Sequence, residues 1–172
     1  MPHISFSELK NWSFCPFYHK LTYLDKLKGF AGNEYTAFGS AIHTVCENKL
    51  LKKSSDPYEE FKTQFIEEIS KLPDDLDLNE KLIVDMGSQA DNIIPQVEPA
   101  LDKYFKDGYK VLDTEERLME PIGNTDYNFK GFIDAILQTP DGKIHLIDWK
   151  SCSWGWAARR RADPLVTYQL TF

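Results

Sequence analysis

From Thr36 to Lys53, Phe38, Ile42, Val45 and Leu50 recur among small and polar residues, which predicts a helix closed by the breakers Ser54, Ser55, Asp56 and Pro57. A second helical stretch runs from Tyr58 to Leu72, with Phe61, Phe65, Ile66 and Ile69 three and four residues apart, and ends at Pro73, Asp74 and Asp75. A third runs from about Asn79 to Phe105, kinked or split by Pro95 and Pro99. After Gly108 the period changes to short runs of β-branched and aromatic residues. These predict strands over roughly Lys110 to Ile122, Tyr127 to Leu137 and Lys143 to Lys150. Gly123 to Asp126 turn the first into the second, and Thr139, Pro140, Asp141 and Gly142 make a hairpin of the second and third. The end, Ala157 to Phe172, reads as another helix broken near Pro164. The order predicts an α/β or α+β layer arrangement with a mixed sheet.

Composition narrows the class. A chain of 172 residues, 42% hydrophobic and 13% aromatic, is long enough for one globular domain with a core of its own. No stretch approaches the ~18 consecutive apolar residues of a membrane span, and Pro2, His3, Ser5 and Glu8 interrupt any secretory h-region. A cytoplasmic protein without a membrane partner is expected. Cys15, Cys46 and Cys152 are odd in number and widely spaced, which fits reduced thiols rather than a disulfide framework or a zinc site. The formal charge is −7, but it is unevenly spread. Residues 54–120 hold 18 acids and 7 bases, so the two ends of the chain are net positive and can still form a locally positive surface.

Candidate chemistry gathers at the hairpin. Alternation along the third strand puts Ile144, Leu146, Asp148 and Lys150 on one face, with about 7 Å between the last two Cα atoms. A carboxylate and an ammonium so placed suit metal-assisted hydrolysis, and equally a plain ion pair at a strand end. Asp134 lies in the apolar run Gly131, Phe132, Ile133 of the preceding strand, where a carboxylate requires a partner or a metal. The hairpin makes Asp134 and Asp148 neighbours able to converge on one cation. Glu116 is a third carboxylate, alongside Asp113, Glu115 and Glu120, which read as readily as solvated strand residues. Gly39 and His43 share a helix face, the glycine permitting close approach of another element and the histidine offering a nitrogen or simply packing. Ser5 to Tyr18 form an aromatic-rich segment with Ser7 as a helix cap, read as a packing arm. Trp154, Trp156, Arg159, Arg160 and Arg161 either stack on bases and engage phosphates or form a solvated basic turn.

Taken in order, Ser5 to Tyr18 with Leu9, Cys15 and Pro16, then Gly39-x-x-x-His43, Gly131-x-x-Asp134, Asp148-Trp149-Lys150 and Tyr168-Gln169-Leu170 resemble the RecB-type branch of the PD-(D/E)xK nucleases, related to phage exonucleases and CRISPR-associated adaptation nucleases. The resemblance spans nearly the whole chain. It implies a restriction-endonuclease-like core, a central mixed sheet flanked by helices, with residues 54–108 as an acidic helical insertion in a single domain of residues 1–172. It implies metal ligation by His43, Asp134 and Asp148 with the Trp149 carbonyl, catalysis by Lys150, support from Gln169, and Glu116 at the first acidic position. The implied activity is a Mg²⁺- or Mn²⁺-dependent DNA exonuclease of recombination, repair or phage DNA metabolism, in a bacterial or phage-infected cell, binding DNA without sequence preference. A non-cleaving nucleic-acid-binding module of the same fold and a protein-interaction domain are the alternatives. The family's last motif continues to a tyrosine beyond the glutamine, whereas this chain stops at Phe172, so a missing carboxyl-terminal piece is expected. A 4Fe-4S cluster is not supported, because only Cys15 stands where members with a cluster have a cysteine.

Overall fold

A computed structural model of the chain describes residues 2–27 and 29–151. Two compact units are distinguished, one built from residues up to Phe30 with Glu116–Ile133, the other from Ala31–Glu115 with Asp134–Ser151.

In the first unit a short strand β1 (His3–Ser5) leads into helix α1 (Phe6–Phe14). The cap is Ser5 and not Ser7. The Ser5 hydroxyl accepts the Glu8 amide at 3.1 Å, because Ser5 keeps an extended backbone while Ser7 is already helical. Helix α2 (Pro16–His19) follows, with proline at its first position, and Glu8 and His19 meet at 3.0 Å. Trp12, Phe14 and Phe17 are exposed, so the packing-arm reading does not describe them.

The second unit contains the core. Helix α3 (Glu34–Leu50) is followed by α4 (Pro57–Ser70), α5 (Glu80–Ile93) and, after a single 3-10 turn at Ile94–Gln96 that contains Pro95, α6 (Val97–Tyr104). Pro95 does split the third helical stretch, whereas Pro99 sits in the first turn of α6, where its missing N–H is harmless. Asn33 and Thr36 cap α3 reciprocally. Phe38 of α3 meets Phe61 and Phe65 of α4 edge-on at 5.8 and 6.0 Å. Each such buried ring stabilises the fold by about 1.5–3 kcal/mol. Glu34, itself buried, accepts the Asn79 amide at 2.7 Å, which ties the loop before α5 to the start of α3 and holds its carboxyl below the usual range.

The mixed sheet is organised on β3 (Asn128–Gln138), which pairs with β2 (Lys110–Pro121), with β1 in parallel at Asn128–Lys130, and with β4 (Ile144–Ile147) antiparallel at Ala135–Gln138. This is the mixed α/β architecture of a restriction-endonuclease-like core. Two details differ from simple alternation. Strand β4 stops at Ile147, and its outward residues are Ile144 and Leu146, while Ile147 and Trp149 pack on the core with Ala135 and Leu137. The face carrying Asp148 and Lys150 is therefore the exposed one, because the helices cover the other. In β2, Val111 turns in, Leu112 and Asp113 turn out, Thr114 turns in, and Glu115 takes φ +52°. Alternation slips by one residue there, as at a bulge. No described helix is long and apolar enough to cross a membrane.

Gly32, just before α3, has φ +100°, and a Cβ there would meet Leu72 Cδ2 at 2.9 Å and Thr36 Oγ1 at 3.0 Å. Replacing Gly32 with alanine thus adds backbone strain and a clash at the α3 cap, an expected loss of about 1–3 kcal/mol. Urea unfolding checks this: the midpoint falls with the slope unchanged, and an unchanged midpoint contradicts it.

Candidate active site

Helix α3 presents Gly39, His43 and Glu47 at four-residue spacing, one stripe on the helix. Two of them reach the middle of β3. One ligand atom each from His43, Glu47 and Asp134 lie within 4.8 Å of one another. The His43 Nδ1 stands 3.8 Å from Asp134 Oδ2, and the same oxygen accepts the Trp149 backbone N–H at 2.6 Å. Asp134 is thereby fixed in rotamer by the segment that follows β4, which is the partner a carboxylate in an apolar run requires.

Gly39 performs the role expected of it. A Cβ at that position would approach Ser151 Oγ to 3.3 Å, so glycine lets the segment through Ser151 lie close against α3. Within that segment Asp148 and Lys150 pair with each other, both more than a third exposed, and the Lys150 ammonium also donates to the Trp149 carbonyl at 3.1 Å. The predicted Asp148 and Lys150 thus stand one residue either side of Trp149, whose own N–H holds Asp134. Asp148 is not one of the three groups that converge at Glu47.

Glu47 is the residue that sequence reasoning missed. It is 6% exposed, and its Oε1 has no hydrogen-bond partner among the described residues. Burial, followed by the negative charges of Glu115 and Asp134, pushes its carboxyl up to about 8. A signal existed: Glu47 is four residues after His43, among the buried Val45, Cys46 and Leu50 of the same helix. Cys46, by contrast, is a packing thiol, pushed up to about 11 by burial.

Glu116 belongs to the other compact unit, whereas its neighbour Glu115, at the slip in β2, adds its charge to the field at Glu47. Gln169, Trp154, Trp156, Arg159, Arg160 and Arg161 lie outside the described residues.

The electrostatics define what this place can hold. Two carboxylates and an imidazole within 4.8 Å, with one carboxylate oxygen buried and unpartnered, leave negative charge that a proton or a cation must offset. Nitrogen and oxygen donors in this number suit a divalent cation, and a histidine in the set is well tolerated by Mn²⁺. The residues present therefore fit a divalent ion.

The metal-free protein has a definite pH dependence at Glu47. Its folded-state value, about 8, lies above the ordinary 4.5, so its folded form takes up a proton that the unfolded form has released. Its contribution therefore weakens as pH rises from about 4.5 to about 8. In EDTA, Glu47→Gln, neutral and nearly isosteric, gains stability relative to wild type across that window. Urea melts at pH 5 and pH 8.5 check it, and an equal pH slope in both proteins contradicts it.

No curated protein matches the chain. A family model for the PD-(D/E)XK nuclease superfamily matches residues 3–172, nearly the whole length and all the residues described above. The converging carboxylates of α3 and β3, the Asp148-Trp149-Lys150 segment whose amide holds Asp134, and this match agree: the chain belongs to the PD-(D/E)XK nuclease superfamily of metal-dependent nucleases.

Proposed function

We propose that the chain is a Mg²⁺- or Mn²⁺-dependent exonuclease of the RecB-like branch, hydrolysing DNA phosphodiester bonds in recombination, repair or phage DNA metabolism, with no sequence preference. The observation that carries this is the convergence of His43, Glu47 and Asp134 on one spot beside Lys150. In this reading His43, Glu47 and Asp134 hold the ion, and Asp148 and the Trp149 carbonyl complete the donor set. A divalent ion bound there supplies Lewis acidity, lowering the pKa of a water and offsetting charge on the phosphate.

The chain's own residues do the rest. The Trp149 amide keeps Asp134 aimed at the site, so the donor geometry is set before substrate arrives. The Lys150 ammonium, which donates to Asp148 and the Trp149 carbonyl, is in this reading the group that engages the phosphate and the attacking oxygen. Ser151 against Gly39 keeps the backbone next to Lys150 close to α3. Glu116 at the first acidic position, Gln169 in support, and Trp154, Trp156, Arg159, Arg160 and Arg161 on the DNA complete the proposal. Residues 54–108 are read as the acidic helical insertion of this domain.

Linear and covalently closed DNA incubated with Mn²⁺ or EDTA tests the reading. Metal-dependent loss of linear DNA alone is expected, with Asp134→Asn and Lys150→Ala slower by at least roughly a hundredfold. Mn²⁺ should also raise the melting temperature of wild type and not of Asp134→Asn. Wild-type cleavage by either variant contradicts the site. Loss of closed circles makes the protein an endonuclease, and binding without turnover makes it the non-cleaving module.

A further inference from the structure

A groove of about 360 Å³ opens beside His43 and Lys150. The turn from α5 into α6 contributes Asn92, Ile93, Gln96, Val97 and Ala100 to its wall, and Trp149 is also part of the lining. The lining is chiefly apolar. Its charges are the more informative feature, because residues 54–120 carry 18 acids against 7 bases, yet no carboxylate among the described residues lines the groove. Asp91, Glu98 and Asp102 belong to the same two helices, and none of them is part of this wall. The acidic segment thus turns an uncharged face to the place where a polyanion would lie, and the titratable groups at the groove among the described residues are His43, Lys150 and the Cys46 thiol.

A phosphodiester engaged by Lys150 brings one flanking nucleoside to this groove, since the two share Lys150 and His43. The groove is at the lower end of the 300–1,000 Å³ range of small-molecule sites, roughly the scale of a base with part of its sugar. An indole wall and aliphatic side chains suit a flat ring by stacking and contact. Its uncharged polar side chains include the Asn92 and Gln96 amides and the Ser151 hydroxyl, each carrying donor and acceptor, so any base edge finds a partner and none is selected. Asn92 already spends one donor on the Ser88 carbonyl at 2.8 Å, which positions it.

We infer that this groove seats the nucleobase flanking the phosphate that is cut, which makes unpaired strands and frayed ends the substrate class. The inference rests on the nuclease reading of the adjacent site. A base can enter only after leaving its stack and its pair, so duplex DNA without a free end meets that cost in full.

The test separates the two readings. Binding of the full chain to a fluorescent oligonucleotide is measured in Ca²⁺, with one abasic site moved position by position, as a single strand and as a blunt duplex; cleavage of the same set is measured in Mn²⁺. The expected result is one or two positions at which losing the base weakens binding on the order of tenfold, the scale of one stacked base, and a duplex bound more weakly than the strand. Ala100→Trp, placed at an exposed groove position, should erase that dip. The double variant Asn92→Ala, Gln96→Ala should lower strand affinity several-fold while leaving the metal-induced rise in melting temperature intact. A flat scan with cleavage present overturns the groove and leaves the nuclease standing. A dip without cleavage keeps the groove and removes the nuclease, and no binding at all, or equal affinity for strand and duplex, overturns the proposal.

Discussion

Setting a buried carboxylate, Glu47, beside a half-buried one, Asp134, is the costly act in this structure, and the surrounding arrangement answers to it. Glu47 sits in the apolar stripe of α3 and Asp134 in an apolar run of β3, with Glu115 adding to the same field. Asp134 has a strong internal partner in the Trp149 amide, whereas Glu47 Oε1 has none among the described residues. A protein selected for stability alone would place leucine or methionine at Glu47, and such apolar replacements of buried charges are often neutral or favourable. Retained charge of this kind, with an imidazole alongside, belongs with function rather than with packing.

The core is what allows the charge to be held in place. Phe38, Ala41, Ile42 and Val45 fasten α3 to α4 and to Ala135 and Leu137 of β3, so the helix stripe of Gly39, His43 and Glu47 cannot rotate away from Asp134 without unpacking rings and methyls together. The segment after β4 is pinned from two sides, by its Trp149 amide on Asp134 and by Ser151 against Gly39. Lys150 is carried between those pins. Its own partners are exposed, so its position owes more to the backbone than to the ion pair with Asp148, which is of the kind that contributes little by itself.

Most of the architecture could be read from periodicity, because the helices from α3 to α6 bury apolar stripes and the runs after Gly108 change to a strand pattern. The hairpin of β3 and β4 was announced by its Thr-Pro-Asp-Gly turn, whereas Pro57 and Pro99, read as a breaker and a kink, stand in the first turns of α4 and α6. What periodicity could not decide was which face the helices cover: alternation placed Asp148 and Lys150 together correctly, but on the row that stays exposed. Parity also fails across the slip at Leu112–Thr114, so whether Glu115 or Glu116 faces the site is not a question the strand pattern can answer. Glu47 was legible in principle, being one turn beyond His43, yet a glutamate inside a helix is so commonly solvated that its burial shows only once β3 is in place.

The central claim is that the cluster of His43, Glu47 and Asp134 is a cation site. Electron paramagnetic resonance of Mn²⁺ added to the full chain tests it most directly, since the spectrum reports both bound ion and nitrogen ligation. One Mn²⁺ per chain with a single ¹⁴N coupling, lost in His43→Ala, and no binding in Glu47→Ala are the results this account predicts. Mn²⁺ that stays free at millimolar protein, or binds without nitrogen coupling and equally well in Glu47→Ala, would contradict it.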